Sequence, residues 1–327
     1  MGRPTRLYPD GPVAIGLVNE GGGTRKTTDA VNLGVAITRR NVKGKKRKKV
    51  AILDADQTMQ ASAYLGYGLA DRDPTGKSPE EIDRIERVYE RLAKMPNVSD
   101  VLYNRLSLQD VLLPARTRIS EGDEDENFAI IENLWLVLGS RDMAFASEDL
   151  SRRADCDTMW LRRALTNLPP GLIDVLIVDF RGTHLQLEES MLAGLDYVIG
   201  AVKPDYKDIS TLGILTTGIE KAQRQFEFSG GAADLRHVLI NGIMPKQRGK
   251  FYAELGDMMV QRYGSLLLRS KPDKGADGQG EPCMISENVQ IAESVAAQEP
   301  VHFWEPGGKA AKEFDQAAAA LDLVWED

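Results

Sequence analysis

Apolar residues along this chain gather into short runs separated by longer stretches of mixed character. Val13–Val18, Val50–Leu53, Leu134–Leu138, Val175–Val178, Tyr197–Val202 and Val238–Ile243 are such runs. Strands buried on both faces read as continuous apolar segments, and helix-length intervals between them supply the crossovers that parallel strands require. The pattern predicts an α/β fold, a mostly parallel twisted sheet flanked by helices on both faces. The rhythm breaks between about 66 and 130. There Ser78, Pro79 and Glu81 form a helix start, with a cap, a first-turn proline and a box partner. Ile82, Ile85, Tyr89 and Leu92 then recur at helical spacing. The plainer reading is a helix laid on the main domain; the sharper one is a helix for a partner or a dimer. The acidic stretch 122–127 and the polar stretch 271–282 read as solvated loops. The expected organisation is a flexible N-terminal arm over 1–12 and a single domain over 13–327, with a helical insertion at about 66–130.

Composition narrows the function classes. The chain has 327 residues, 42% hydrophobic and 28% charged, an ordinary globular balance. Its two cysteines, Cys156 and Cys283, make neither a metal-spacing motif nor a disulfide framework. The N-terminus carries no apolar signal-peptide core, no run of 18 apolar residues exists, and the last residues lack a basic membrane-surface face. The expectation is a cytoplasmic protein without a membrane partner. Net charge is −8, yet residues 39–49 carry eight positive side chains in eleven positions, and a patch that dense holds phosphate whatever the far side carries. The four tryptophans, Trp135, Trp160, Trp304 and Trp325, are expected in or near cores. His184 has no paired carboxylate in sequence and stays unassigned.

The most informative stretch runs from Val13 to Ile37. A strand enters a glycine cluster, then Lys-Thr-Thr, then an apolar-periodic helix. Backbone N–H groups of such a turn and of the helix N-terminus face a bound phosphate. Lys26 would reach the β- and γ-phosphates and the Thr27 hydroxyl would ligate Mg²⁺. Gly22, Gly23, Thr24, Arg25, Lys26, Thr27 and Thr28 thus form a candidate ATP cradle.

At these residues the chain resembles the ParA family of DNA-partitioning ATPases, the ParA/MinD group of P-loop NTPases with a deviant Walker A loop. Asn19, Gly22, Gly23, Lys26, Thr27, Thr28, Ala30, Asn32 and Leu33 match that family's loop and helix start. Two positions depart from it. The signature lysine falls on Gly21, and the glycine before the P-loop lysine falls on Arg25. A non-glycine residue in a left-handed turn costs roughly 1–2 kcal/mol. Arg25 is a candidate to replace the missing charge in the manner of an arginine finger, the alternative being a side chain turned to solvent.

Three further stations follow in the family's order. VAILDADQTMQAS (50–62) is similar to its D-x-D-P-Q-G-N-A-S stretch, which implies that Asp56 orients the attacking water and Asp54 supports the Mg²⁺ shell. DVLIVDFRG (174–182) ends in Asp179, which has the form of a Walker B carboxylate, although Phe180, Arg181 and Gly182 replace the family's usual continuation. VLINGI (238–243) resembles the strand whose asparagine contacts adenine, so Asn241 is the candidate for that contact. MISENVQIAESVAAQEPVHFWEP (284–306) resembles the closing helix and Pro-Val strand.

The resemblance implies an ATPase switch with ATP and Mg²⁺ as ligands. It would form a homodimer on ATP binding, bind DNA non-specifically on the nucleoid, and be released when a ParB-like centromere-binding protein stimulates hydrolysis. The sheet is expected to start by residue 13, so operator reading by an N-terminal domain of this chain is not expected. Family resemblance favours the C-terminal-half basic group for DNA: Lys246, Arg248, Lys250, Arg262, Arg269 and Lys271. The 39–49 run lies at the sheet end away from the nucleotide. Two competitors stand beside this reading: a MinD-like positioning ATPase, and a nucleotide-binding scaffold of the same fold that hydrolyses little or nothing.

Overall fold

The computed structural model describes residues 6–19, 21, 23–41, 44–68, 77–121, 125–153, 156–182, 186–243, 250–270 and 280–322, without the side chains of 206–212, 250–253 and 322. The first half contains β1 Val13–Val18, α1 Lys26–Arg39, β2 Val50–Asp54, α2 Gln60–Tyr64, α3 Pro79–Ala93, α4 Val98–Leu102, β3 Leu112–Arg118, β4 Phe128–Val137, α5 Ala146–Arg152 and α6 Trp160–Thr166. The second half contains β5 Val175–Asp179, α7 Gln186–Leu192, β6 Tyr197–Val202, α8 Tyr206–Gln225, β7 Asp234–Ile243, α9 Lys250–Tyr263, β8 Met284–Ser286, α10 Val289–Ala297, α11 Val301–Trp304 and α12 Lys309–Asp322. One eight-stranded sheet runs β3-β4-β2-β5-β1-β6-β7-β8, parallel throughout except for the β3–β4 pair. This is the mostly parallel, helix-flanked α/β sheet that the apolar runs predict.

Alternate residues of each central strand feed two different cores. Ala14 and Val18 of β1 join the core beneath α4–α9, with Trp160, Met191 and Ile219. Val13, Ile15 and Leu17 join the opposite core, with Leu33 and Ile37 of α1 and Phe314 of α12. Both faces are therefore covered, which is why the runs are apolar at every position. The helix α1 lies close on the sheet because Gly34 has no side chain. A Cβ there would come within 2.9 Å of the Ile52 side chain.

Three expectations need correction. Residues 6–12 are not a loose arm. The Leu7 and Ala14 amides donate to Asp196, the Tyr8 hydroxyl donates to the Gly194 carbonyl, and the Tyr8 ring is buried. The 66–130 segment holds the expected helix, with the Ser78–Glu81 capping box formed and Ile85 and Leu92 buried, but it also contributes the antiparallel edge strand β3. The Pro-Val pair near the C-terminus begins a short helix rather than a strand: the Val301 amide donates to Asn32 and the chain turns helical behind Pro300. Of the tryptophans, Trp160 is fully buried and Trp135 packs against a core, but Trp304 is 39% exposed. Trp325 and His184 lie outside the described residues.

The connections place a crevice. β1 and β5 are neighbours, yet α1 leaves β1 toward one face and α7 leaves β5 toward the other. Adjacent strands whose connections diverge in this way open a ligand crevice at their C-terminal ends.

Candidate functional site

The loop from β1 to α1 sits at that crevice. Asn19 is buried and donates from its side-chain amide to the Ala201 carbonyl of β6, while its Oδ1 accepts from the Gly21 amide. Those two bonds fix the loop's entry. Gly23 takes a left-handed φ of 79°, as a glycine does without cost. Arg25 also takes a left-handed conformation, φ 71° and ψ 20°, at the N-cap of α1. The family's glycine preference at this position is thus a backbone requirement, and the arginine meets it under strain.

The Arg25 side chain goes neither to solvent nor into the crevice. Its Nη2 lies 2.6 Å from Glu287, which follows β8, and its Nη1 is buried without a hydrogen-bond partner. Lys26 is buried, and its ammonium donates to the Gly21 carbonyl at 3.0 Å and approaches the Thr24 hydroxyl at 3.5 Å. Thr27 and Thr28 are half-buried in the first turn of α1. Gly22 lies outside the described residues.

Asn241 is fully buried behind this loop. Its side-chain amide donates to the Thr24 carbonyl at 3.2 Å and to Asp29 at 2.5 Å. Those bonds brace the loop against β7, while the side-chain Oδ1 has no hydrogen-bond partner. The donors of Asn241, the residue expected to contact adenine, are thus engaged by Thr24 and Asp29. Asp29 itself had no sequence signal. Burial pushes its pKa up to about 8, while Asn241, Arg25, Lys26 and Lys203 pull it back.

The other two strand ends bring carboxylates to the same place. Asp54 of β2 and Asp179 of β5 are directly paired in register, both completely buried. The Ser62 amide and hydroxyl donate to Asp54 at 2.8 and 2.6 Å, and the Asp56 amide at 3.2 Å. Burial, helped by the charge of Asp56, raises the Asp54 pKa to about 6 despite those bonds. Asp179 has much less support: both its carboxylate oxygens are buried and neither makes a well-formed hydrogen bond, although the Thr27 hydroxyl is near. Burial first, then the negative charge of Asp54, raise its pKa well above the carboxylate range, and the Thr27 hydroxyl and Lys26 ammonium act against that. Asp56 is half-buried, with one oxygen accepting from the Thr58 amide and hydroxyl.

A buried carboxylate with two orphaned oxygens, beside a threonine hydroxyl and a second carboxylate, fits a hard divalent cation, which takes oxygen ligands and lowers neighbouring carboxylate pKa values. Among the described residues no group of three or more His, Cys, Asp and Glu could hold a metal by itself.

In front of α1 lies a cavity of about 590 Å³. Thr27, Thr28, Gln57, Thr58, Tyr89 and Arg141 are on its walls. Sequence reading flagged Tyr89 only as a helix-face residue and Arg141 not at all. The residues after Asp179 turn into the protein: Phe180 packs where a Cβ on Gly16 would collide with it, and buried Arg181 pairs with Glu188 and donates to the Met143 carbonyl and the Ser147 hydroxyl.

The folds of three solved structures match almost the whole chain. They are the ATP complex of a substituted Cyanothece McdA (TM-score 0.65, 14% identity, 95% of this chain and 96% of that one), a plasmid partition protein from Borrelia burgdorferi (0.60, 15%, 96% and 99%), and the septum site-determining protein MinD from Pyrococcus horikoshii with Mg-ADP (0.56, 18%, 95% and 96%). This chain has the fold of the ParA/MinD-type P-loop ATPases. No protein-family model matches it. Two uncharacterized proteins from strains of Mycobacterium tuberculosis are each 24% identical over 332 residues, 99% of this chain and 84% of theirs. On this fold, Lys26, Thr27, Asp54, Asp56 and Asp179 converge at the crevice, while Arg25 and Asn241 are engaged in bracing the loop.

Of the basic residues expected to meet DNA, Arg262 and Arg269 are described with their side chains. Arg262 is exposed on α9. Arg269 is half-buried and donates to the Gly280 and Gly264 carbonyls, so it ties two loops together rather than presenting charge. Lys246, Arg248 and Lys271, and the side chain of Lys250, lie outside the described residues. In the 39–49 run, Arg39 stacks on Phe303, Arg40 donates to the Ala318 carbonyl, Lys49 to the Gly171 carbonyl, and Arg47 lies 3.8 Å from Glu132. Among the described residues no helix is long and apolar enough to cross a membrane.

Proposed function

We propose that this chain is an ATP-dependent switch of the ParA type, binding ATP with Mg²⁺ in the β1–α1 crevice and hydrolysing it slowly. The observation that carries the reading is the fully buried Asp179 carboxylate beside Thr27 and Lys26 at the N-terminus of α1. A buried anion without a well-formed hydrogen bond is costly, and a Mg²⁺–polyphosphate would supply a partner for it.

In this reading the loop amides and the α1 N-terminus take the phosphates, and the Lys26 ammonium moves from the Gly21 carbonyl to a phosphate oxygen. Thr27 and Asp179 would hold Mg²⁺, with Asp54 behind them. When bound, the ion supplies charge neutralisation at the phosphate oxygens. Asp56 keeps one oxygen on Thr58 and has the other for a water, which it would orient and whose proton it would accept. With glycine at the signature-lysine position and Arg25 held by Glu287, little positive charge is ready for the developing transition state, so turnover is expected to be slow.

Beyond hydrolysis, the likeness to a plasmid partition protein supports a homodimer formed on ATP binding, non-specific DNA as its track and a ParB-like partner as its stimulator. In that arrangement, Arg262 and the basic residues from Lys246 to Lys271 are candidates for DNA. The working location would be cytoplasmic, on the nucleoid.

The deciding test is binding of a fluorescent ATP analogue with Mg²⁺ to wild type, Lys26→Ala and Thr27→Ala. Saturable binding lost in both variants is expected. A folded wild type that binds no nucleotide would overturn the switch and leave a scaffold of this fold.

A further inference from the structure

A site that receives a polyphosphate beside two buried carboxylates needs cations facing the phosphates. The described loop residues supply few. Gly21 stands where the related loop has its lysine, Arg25 is paired to Glu287, and Lys26 alone is close to the cradle. The cavity in front of Thr27 and Thr28 adds one more. Among the described residues lining it, Arg141 is the one with a positive charge.

Arg141 is well placed by its own segment. It opens a short helical turn, Arg141–Ala144, directly after β4, at the same strand ends that deliver Asp54 and Asp179. Ser140 caps that turn, its hydroxyl accepting from the Asp142 amide at 3.2 Å. The guanidinium carbon lies 3.6 Å from the centroid of the Tyr89 ring, on α3. Stacking of this kind orients a guanidinium while leaving its in-plane N–H donors available, the geometry suited to phosphate oxygens. The exposed charge is set on the cavity wall with Gln57 and Thr58, the residues that follow Asp56.

We propose that Arg141 is a nucleotide-binding residue of this chain, meeting the terminal phosphate of a nucleoside triphosphate from the cavity side and held for that contact by Tyr89. The inference rests on the reading that the β1–α1 crevice takes a nucleotide. It adds a residue from a different part of the chain, and it gives the helix α3 a part in recognising the triphosphate form.

The test compares Mg²⁺-dependent binding of fluorescent ATP and ADP analogues by wild type, Arg141→Ala, Arg141→Lys, Tyr89→Ala and Tyr89→Phe, with urea midpoints measured alongside. Loss of a charge-assisted contact predicts that Arg141→Ala weakens ATP binding by roughly 10- to 100-fold, with ADP affinity within about 3-fold of wild type. Arg141→Lys recovers part of the loss. Tyr89→Phe behaves as wild type, since a phenyl ring also stacks, whereas Tyr89→Ala loses about 3-fold for ATP. Unchanged ATP affinity in Arg141→Ala, with wild type binding normally, overturns the inference and leaves the nucleotide reading standing. Equal losses for ATP and ADP together with a lowered urea midpoint also overturn it, since they show a structural role. Wild type that binds neither nucleotide overturns the nucleotide reading itself.

Discussion

The strained, ion-paired Arg25 offers the sharpest check on how this loop is held. Its left-handed backbone costs about 1–2 kcal/mol relative to an unstrained residue. Replacing it by glycine removes that strain but adds unfolded-state freedom worth about 0.5–1 kcal/mol, so the backbone gain nets to about 0.5–1 kcal/mol. Against this stands the contact with Glu287, whose side chain is 35% exposed while that of Arg25 is 15% exposed. A pair intermediate between surface and interior is worth about 1–2 kcal/mol. Arg25→Gly is therefore expected to lie between neutral and about 1.5 kcal/mol destabilising. Glu287→Gln keeps the strain, removes the partner and should cost about 1–2 kcal/mol. The double variant should be no less stable than Arg25→Gly alone, because glycine leaves nothing for Glu287 to hold. Urea unfolding of the four proteins gives the coupling energy, expected at about 1–2 kcal/mol. Additivity within about 0.5 kcal/mol would show that the pair does not brace the loop.

The buried carboxylates predict an inverted pH dependence. A carboxyl whose folded pKa is raised keeps a proton that the unfolded chain releases near about pH 4. Its contribution is full below that point and is lost as pH rises through about 6 for Asp54 and about 8 for Asp29. Urea midpoints of the ligand-free protein should fall between about pH 4 and 8, the window set by the unfolded and folded values, and Asp29→Asn should flatten the upper part; parallel curves for the two proteins would refute this. Asp179→Asn should raise ligand-free stability at about pH 8 and abolish the thermal shift produced by Mg²⁺ with nucleotide, and a variant that keeps the shift would remove Asp179 from the metal site.

The central sheet was legible because its strands are buried on both faces and so are apolar at every position. Val13–Val18 and Tyr197–Val202 have the bounds that the runs suggest. The edges were not legible. Leu112–Arg118 carries Pro114 and two arginines, its burial alternates, and β8 has three residues, so neither yields an apolar run. Strand β4 begins at Phe128, six residues before its apolar part, because that half pairs only with the half-exposed β3. At the site, the residues whose chemistry depends on strand ends were readable: Asp54 and Asp179 close apolar runs, and the sheet register sets them side by side. Partners far apart in sequence were not. Glu287 lies 262 positions from Arg25, and Asn241 lies 212 from Asp29, so their pairing follows from topology alone. The resemblance assigned Asn241 to a base because of its strand. The amide's actual partners come from the depth of that strand in the sheet.

The loop's internal bonds and the carboxylates' lack of them are two sides of one arrangement. The donors near the crevice bond within the protein: Lys26 to Gly21, Asn241 to Thr24 and Asp29, Arg25 to Glu287. The acceptors most in need of a cation, the oxygens of Asp179, are left without a well-formed hydrogen bond. If this pattern existed only for stability, Asp179 would be an error, since such a buried carboxylate lowers stability while offering nothing to the fold. It makes sense when the crevice is completed by a ligand carrying both an anion for the loop and a cation for the strand ends. The strain at Arg25 belongs to the same logic. The left-handed Arg25 sits at the N-cap of α1, and its side chain pairs with Glu287, which follows β8. A ligand that relieves an unfavourable burial gains differential binding energy, which is what it needs to shift a two-state equilibrium.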